Sequence, residues 1–93
     1  ESGTLTAYWY DGDVVAITWN DGFTAEHYYY HEGEPYFIYV ENWEEEGDEL
    51  RVYFWEGNMI RWIEADGVIH DGRADYYFDY HARALEYYDA ATD

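Results

Sequence analysis

The sequence predicts an α+β fold: an antiparallel β-meander of about six strands with one C-terminal α-helix packed on one face. Two observations carry this. Up to about residue 69, short runs rich in Val, Ile, Thr, Tyr, Phe and Trp alternate with Asp, Asn and Gly punctuation, as in strands joined by tight turns. From about Ala74 the apolar spacing changes to that of a helix. The 93 residues fit one domain spanning 1–93, with no linker-like stretch to divide it.

The elements follow in order. Thr4–Tyr10 (TLTAYWY) is rich in Thr and aromatics, and Asp11-Gly12-Asp13 turns the chain. Val14–Trp19 (VVAITW) is β-branched and apolar. Asn20-Asp21-Gly22 then supplies residues that tolerate positive φ. Phe23–Tyr30 (FTAEHYYY) precedes the turn His31-Glu32-Gly33-Glu34. Pro35–Asn42 (PYFIYVEN) starts on Pro35, where a missing N–H does least harm to a ladder. Trp43–Glu49 reads as a charged loop. Leu50–Glu56 and Met59–Ala65 are two further strands around Gly57-Asn58. Asp66-Gly67 turns the chain again, and Val68-Ile69 forms a short final extension. In the helix, about residues 74–91, Ala74, Phe78, His81, Leu85 and Tyr88 fall on one stripe flanked by Tyr77, Ala82 and Ala84. Asp71 or Asp75 is placed to cap its N-terminus.

Strict alternation assigns faces. Tyr36, Ile38 and Val40 share a face with Leu50, Val52 and Phe54, joined by Met59 and Ile63, and this face is the one expected under the helix. The other carries Phe37, Tyr39, Tyr53, Trp55, Ile60 and Trp62. A sheet aromatic on both sides needs a second cover, whether by curling, dimerising or binding a ligand.

Composition narrows the function classes. The chain has 22 Asp and Glu against 4 Arg and no Lys, a formal net charge of −18. Such a surface is repelled by phosphates and anionic headgroups, which argues against direct nucleic-acid or membrane-surface binding. Aromatic residues make up 24% of the chain, which argues for a packed core rather than disorder. Without cysteine there is neither disulfide nor thiolate metal site. No apolar run approaches the ~20 residues that span a bilayer. A chain opening on Glu1 rather than Met reads as a mature or trimmed form, compatible with a removed signal peptide.

The segment Tyr28–Ile63 combines a Tyr-rich strand, a Gly turn, Phe37-Ile38-Tyr39-Val40-Glu41, an acidic loop, Arg51-Val52-Tyr53-Phe54 and Asn58-Met59-Ile60-Arg61-Trp62-Ile63. It resembles a group of small uncharacterised bacterial exported proteins, often lipoproteins, with a Tyr-rich β-meander and a C-terminal helix. The resemblance covers about a third of the chain. It implies an antiparallel sheet and export, to the periplasm, the exterior or a lipid anchor, and carries no activity. The sequence departs from that group by having Asn58-Met59 where Gly-Lys is common.

The acidic surface has two readings. Depleted Lys with abundant carboxylates is the signature of adaptation to salt, which screens repulsion over ~3 Å at 1 M. Alternatively the surface captures a basic protein or mimics DNA phosphates. Its densest patch is Glu44, Glu45, Glu46, Asp48 and Glu49. On the aromatic face, Tyr39, Tyr53, Trp55 and Trp62 form a platform for sugar rings or proline-rich peptides, weighed against ordinary sheet packing. His27 and His31 share a strand face but stand about 13 Å apart, too far for one ion. His70 lies near Asp71 in a loop, and His81 is a partly buried helix–sheet contact. The Asp-Gly turns lack the spacing of a calcium loop and invite only nonspecific cations. Ser2 is the only serine, there is no phosphate loop and no HExxH, so neither catalytic residue, metal nor cofactor is assigned. The expected function is a non-enzymatic exported interaction module, with a basic protein or a second copy as partner. An acidic DNA mimic and a carbohydrate-binding module are the alternatives.

Overall fold

The computed structural model of the chain describes residues 3–42, 47–72 and 78–92. Seven strands and one helix are described: β1 (Thr4–Tyr10), β2 (Asp13–Asn20), β3 (Ala25–His31), β4 (Glu34–Glu41), β5 (Glu49–Trp55), β6 (Asn58–Ile63), β7 (Ile69–Asp71) and α1 (Phe78–Thr92). The strands pair antiparallel in sequence order. The fold is therefore the expected α+β meander with one strand more, because the short extension becomes β7 and pairs Ile69, His70 and Asp71 with Ile63, Trp62 and Arg61. Phe23 stays outside β3 and is exposed.

Three hairpins repeat one device. Asp11-Gly12, Glu32-Gly33 and Glu56-Gly57 all have positive φ at both residues, from 51° to 85°. That is type I′ geometry, whose twist matches the flanking strands. In each following strand one extra residue sits three positions after the turn glycine: Val15, Tyr36 and Ile60. Each is a β-bulge, and a bulge reverses the alternation of everything beyond it.

The bulges correct the face assignment. Pro35 rather than Tyr36 points to the helix side, and Tyr36 is exposed on the open face. Beyond Ile60, Trp62 turns inward against the core and Ile63 turns outward to pair with Arg51. One inward row then crosses the sheet as Ile17, Tyr28, Ile38, Val52, Trp62 and His70.

α1 covers this face. Its buried contact is Ala84, with Phe78, Tyr80, Tyr87, Tyr88 and Ala91 packed around it. Leu85, expected on the central stripe, is 37% exposed. The helix is rotated toward Ala84 because the small side chain admits Tyr30, whose hydroxyl donates to the Ala84 carbonyl at 2.7 Å. Tyr28 and Tyr30 meet Tyr87 and Tyr88 at ring centroids 5.4 and 5.2 Å apart. Asp71 belongs to β7 and is no cap, while Ala74, Asp75 and Tyr77 lie outside the described residues.

A buried carboxylate fastens helix to sheet. Glu26 is 5% exposed. Its carboxylate accepts from the Tyr28 hydroxyl and from Arg83 Nη1, the latter at 2.9 Å. Burial, with the carboxylate beside it, pushes the Tyr28 phenol far up.

Candidate binding face and groove

The face away from α1 is built by alternation along the seven strands. Its middle row reads Tyr8, Ala16, Tyr29, Phe37, Tyr53, Arg61 and Asp71. Within it the rings of Tyr29, Phe37 and Tyr53 form a ladder with centroid spacings of 5.7 and 4.8 Å. The adjacent row carries His27, Tyr39 and Arg51. His27 Nε2 lies 2.9 Å from a Glu41 carboxylate oxygen, and the Arg51 guanidinium lies 4.8 Å over the Tyr39 ring. The Tyr39 hydroxyl donates to Glu49 at 2.8 Å. That bond, with Arg51 beside it, holds the Glu49 carboxyl below its ordinary range.

At the hairpin end the face opens into a groove of about 680 Å³. Its origin is a split in the sheet. β4 and β5 pair only from Glu41–Glu49 to Phe37–Tyr53. Past that point β4 offers a bulge residue, Tyr36, and a proline, Pro35, which has no N–H to extend a ladder. The tips of the second and third hairpins therefore stand apart. Pro35, Tyr36, Tyr53, Phe54, Trp55 and Ile60 make the apolar lining, and Glu32, Glu34 and Glu56 stand on the rim with His31. Trp55 is the most exposed of these aromatics, at 66%. The described arginines are engaged elsewhere: Arg51 with Glu49, Arg61 with Asp71 and Arg83 with Glu26. The groove thus combines aromatic faces with excess negative charge, the two features that attract a guanidinium or ammonium group.

The sequence-derived platform residues fall in three places. Tyr53 and Trp55 line the groove. Tyr39 lies on the same face one row away, committed to Arg51 and Glu49. Trp62 is on the opposite face, stacked on His70 with centroids 4.8 Å apart, so it cannot share a platform with the others. In the acidic patch, Glu44, Glu45 and Glu46 lie outside the described residues, Asp48 is half-buried, and Glu49 is held by Tyr39 and Arg51. Sequence reasoning missed Tyr36, Ile60 and the rim carboxylates as one site. The signal was the threefold Asp/Glu-Gly turn, which would have placed two hairpin tips side by side.

Among the described residues no group of three or more His, Asp or Glu could hold a metal ion. No helix among them is long and apolar enough to cross a membrane. Comparisons with protein-family models, with curated proteins and with solved structures found no match.

Proposed function

We propose that this chain is a non-enzymatic, exported interaction module that receives a cationic side chain of a partner protein in the groove between its second and third hairpin tips. The observation that supports this most is the lining itself: Tyr36, Tyr53 and Trp55 beside Glu32, Glu34 and Glu56. Arginine fits best, because its planar guanidinium stacks on rings while donating to carboxylates. The groove volume falls within the ~300–1,000 Å³ typical of small-ligand sites. The exported setting rests on the sequence resemblance.

The test is a tryptophan-fluorescence titration with a short arginine-containing peptide and its citrulline counterpart. The arginine peptide should bind and the citrulline peptide should not. Trp55→Ala should abolish the response. Glu56→Gln should weaken binding more than Glu86→Gln on the exposed helix face, although each removes one charge from the same −18 total. Equal binding of the two peptides, or equal effects of the two glutamine variants, would reduce the interaction to nonspecific attraction and overturn the assignment.

A further inference from the structure

β1 breaks the rule by which soluble sheets protect their edges. It is an outer strand of the sheet, and every residue in it except Ala7 is exposed. Leu5, Tyr8, Trp9 and Tyr10 are large hydrophobics open to solvent, Tyr10 at 75%. Edge strands usually carry charge, proline or a covering element to block pairing with another chain. Among the described residues β1 has none of these, and in a chain of net charge −18 it is the only described strand without a charged or histidine side chain. Its ladder side away from β2 offers unpaired backbone N–H and C=O groups.

We propose that β1 pairs antiparallel with β1 of a second copy, about a two-fold axis at Ala7. The sequence of the strand favours a copy of itself. Ala7 is its midpoint, so two-fold pairing sets Leu5 opposite Trp9, Thr6 opposite Tyr8 and Thr4 opposite Tyr10. Each pair matches an aromatic with an aliphatic or threonine partner, the combinations that stabilise cross-strand neighbours. Asp11 then faces Gly3, so no carboxylate meets another within the described strand edge. A basic partner strand would find no counter-charge along β1, whereas a second β1 brings the one uncharged strip on which two anionic chains can approach. The pairing joins two seven-stranded meanders into one continuous antiparallel sheet. A single strand edge is small beside the ~1,200 Å² of standard interfaces, so the dimer is weak and concentration-dependent. Repulsion between the two chains is screened over ~3 Å at 1 M salt against ~30 Å at 0.01 M. Salt therefore strengthens the dimer, the opposite of its effect on binding a cationic peptide.

These 93 residues contain no cysteine, so single cysteines introduced into this chain report the register. In the proposed pair the two Ala7 Cα atoms lie ~4.5–5.5 Å apart, within disulfide reach. The two Tyr10 positions are offset by about 20 Å along the strands. Under mild oxidation at 1 M NaCl, Ala7→Cys should cross-link at least about tenfold faster than Tyr10→Cys, although Tyr10 is the more exposed. Sedimentation of the unmodified chain should show its average mass rising toward the dimer with concentration and with salt, and Thr6→Glu should suppress that rise. Cross-linking of Tyr10→Cys as fast as Ala7→Cys, or an unmodified chain that stays monomeric at high salt and high concentration, would overturn the proposal.

Discussion

His81 sets its ring against Phe54 and Phe78, with centroids 4.9 and 5.7 Å away. Its Nε2 is buried without a hydrogen-bond partner among the described residues. Burial lowers its pKa from the ordinary 6.5, and the Glu34 carboxylate opposes that shift without cancelling it. The folded chain therefore binds a proton here less readily than the unfolded chain. Stability from the neutral ring is present above the unfolded pKa of about 6.5 and is lost as pH falls through that value toward the lower folded one. His81→Leu should remove this dependence. Between pH 7 and pH 5 the wild type should lose stability relative to the variant, measured as the difference in urea midpoints, in which the shared carboxylate titrations cancel. At pH 7 the variant should equal or exceed the wild type, since a buried unsatisfied polar atom costs ~1–3 kcal/mol. A variant that tracks the wild type at every pH would remove His81 as the sensor.

The hairpins show which parts of this fold a sequence displays. Strand runs, Gly turns and the change of period were all legible, because each is a local preference of the residues concerned. The bulges were not. Val15, Tyr36 and Ile60 are ordinary strand residues, and only the type I′ turns with their three-residue spacing show where alternation slips. One slip sent Trp62 inward and Ile63 outward, and another exchanged Tyr36 for Pro35, so Tyr53 and Trp55 lie on the face that alternation assigns them while Trp62 does not. The helix clamp was equally invisible, because Glu26 and Arg83 are distant in sequence and meet only after α1 docks at 2.9 Å. Its energetics can be measured. Arg83→Met leaves Glu26 buried without its cation and should destabilise the fold by about 2 kcal/mol. That lies below the ~3–5 kcal/mol of a fully enclosed pair because the Arg83 side chain is 41% exposed. Adding Glu26→Gln should recover part of the loss in a double-mutant cycle read by urea unfolding. Strictly additive losses would show that the two groups do not act together.

A net charge of −18 within a Cα radius of gyration of 13.0 Å places carboxylates inside one another's fields unless salt intervenes. The sheet offsets some of this locally, through Arg51 with Glu49 and Arg61 with Asp71, but four arginines cannot balance 22 acids. The helix adds to the imbalance. Its last turn has no basic residue, so Asp89 sits near the negative end of the macrodipole. Thermal unfolding from ~0.05 to ~1 M NaCl, which shortens the Debye length from over ~10 Å to ~3 Å, should therefore raise the Tm steadily. Each kcal/mol of relieved repulsion corresponds to about 4–8 °C for a domain of this size. Asp89→Lys changes the charge by two and reverses the dipole interaction, so it should raise the low-salt Tm and flatten the salt response, with a dipole gain of ~0.3–1 kcal/mol. KCl should act like NaCl, since screening depends on ionic strength rather than on the cation. Stability rising with salt assigns the charge to tolerance of a saline setting, and the proposed cation-receiving groove then stands on its local chemistry alone. A Tm indifferent to salt would mean that the fold bears its repulsion unaided, and the whole acidic surface would join the groove as a binding determinant for a basic partner.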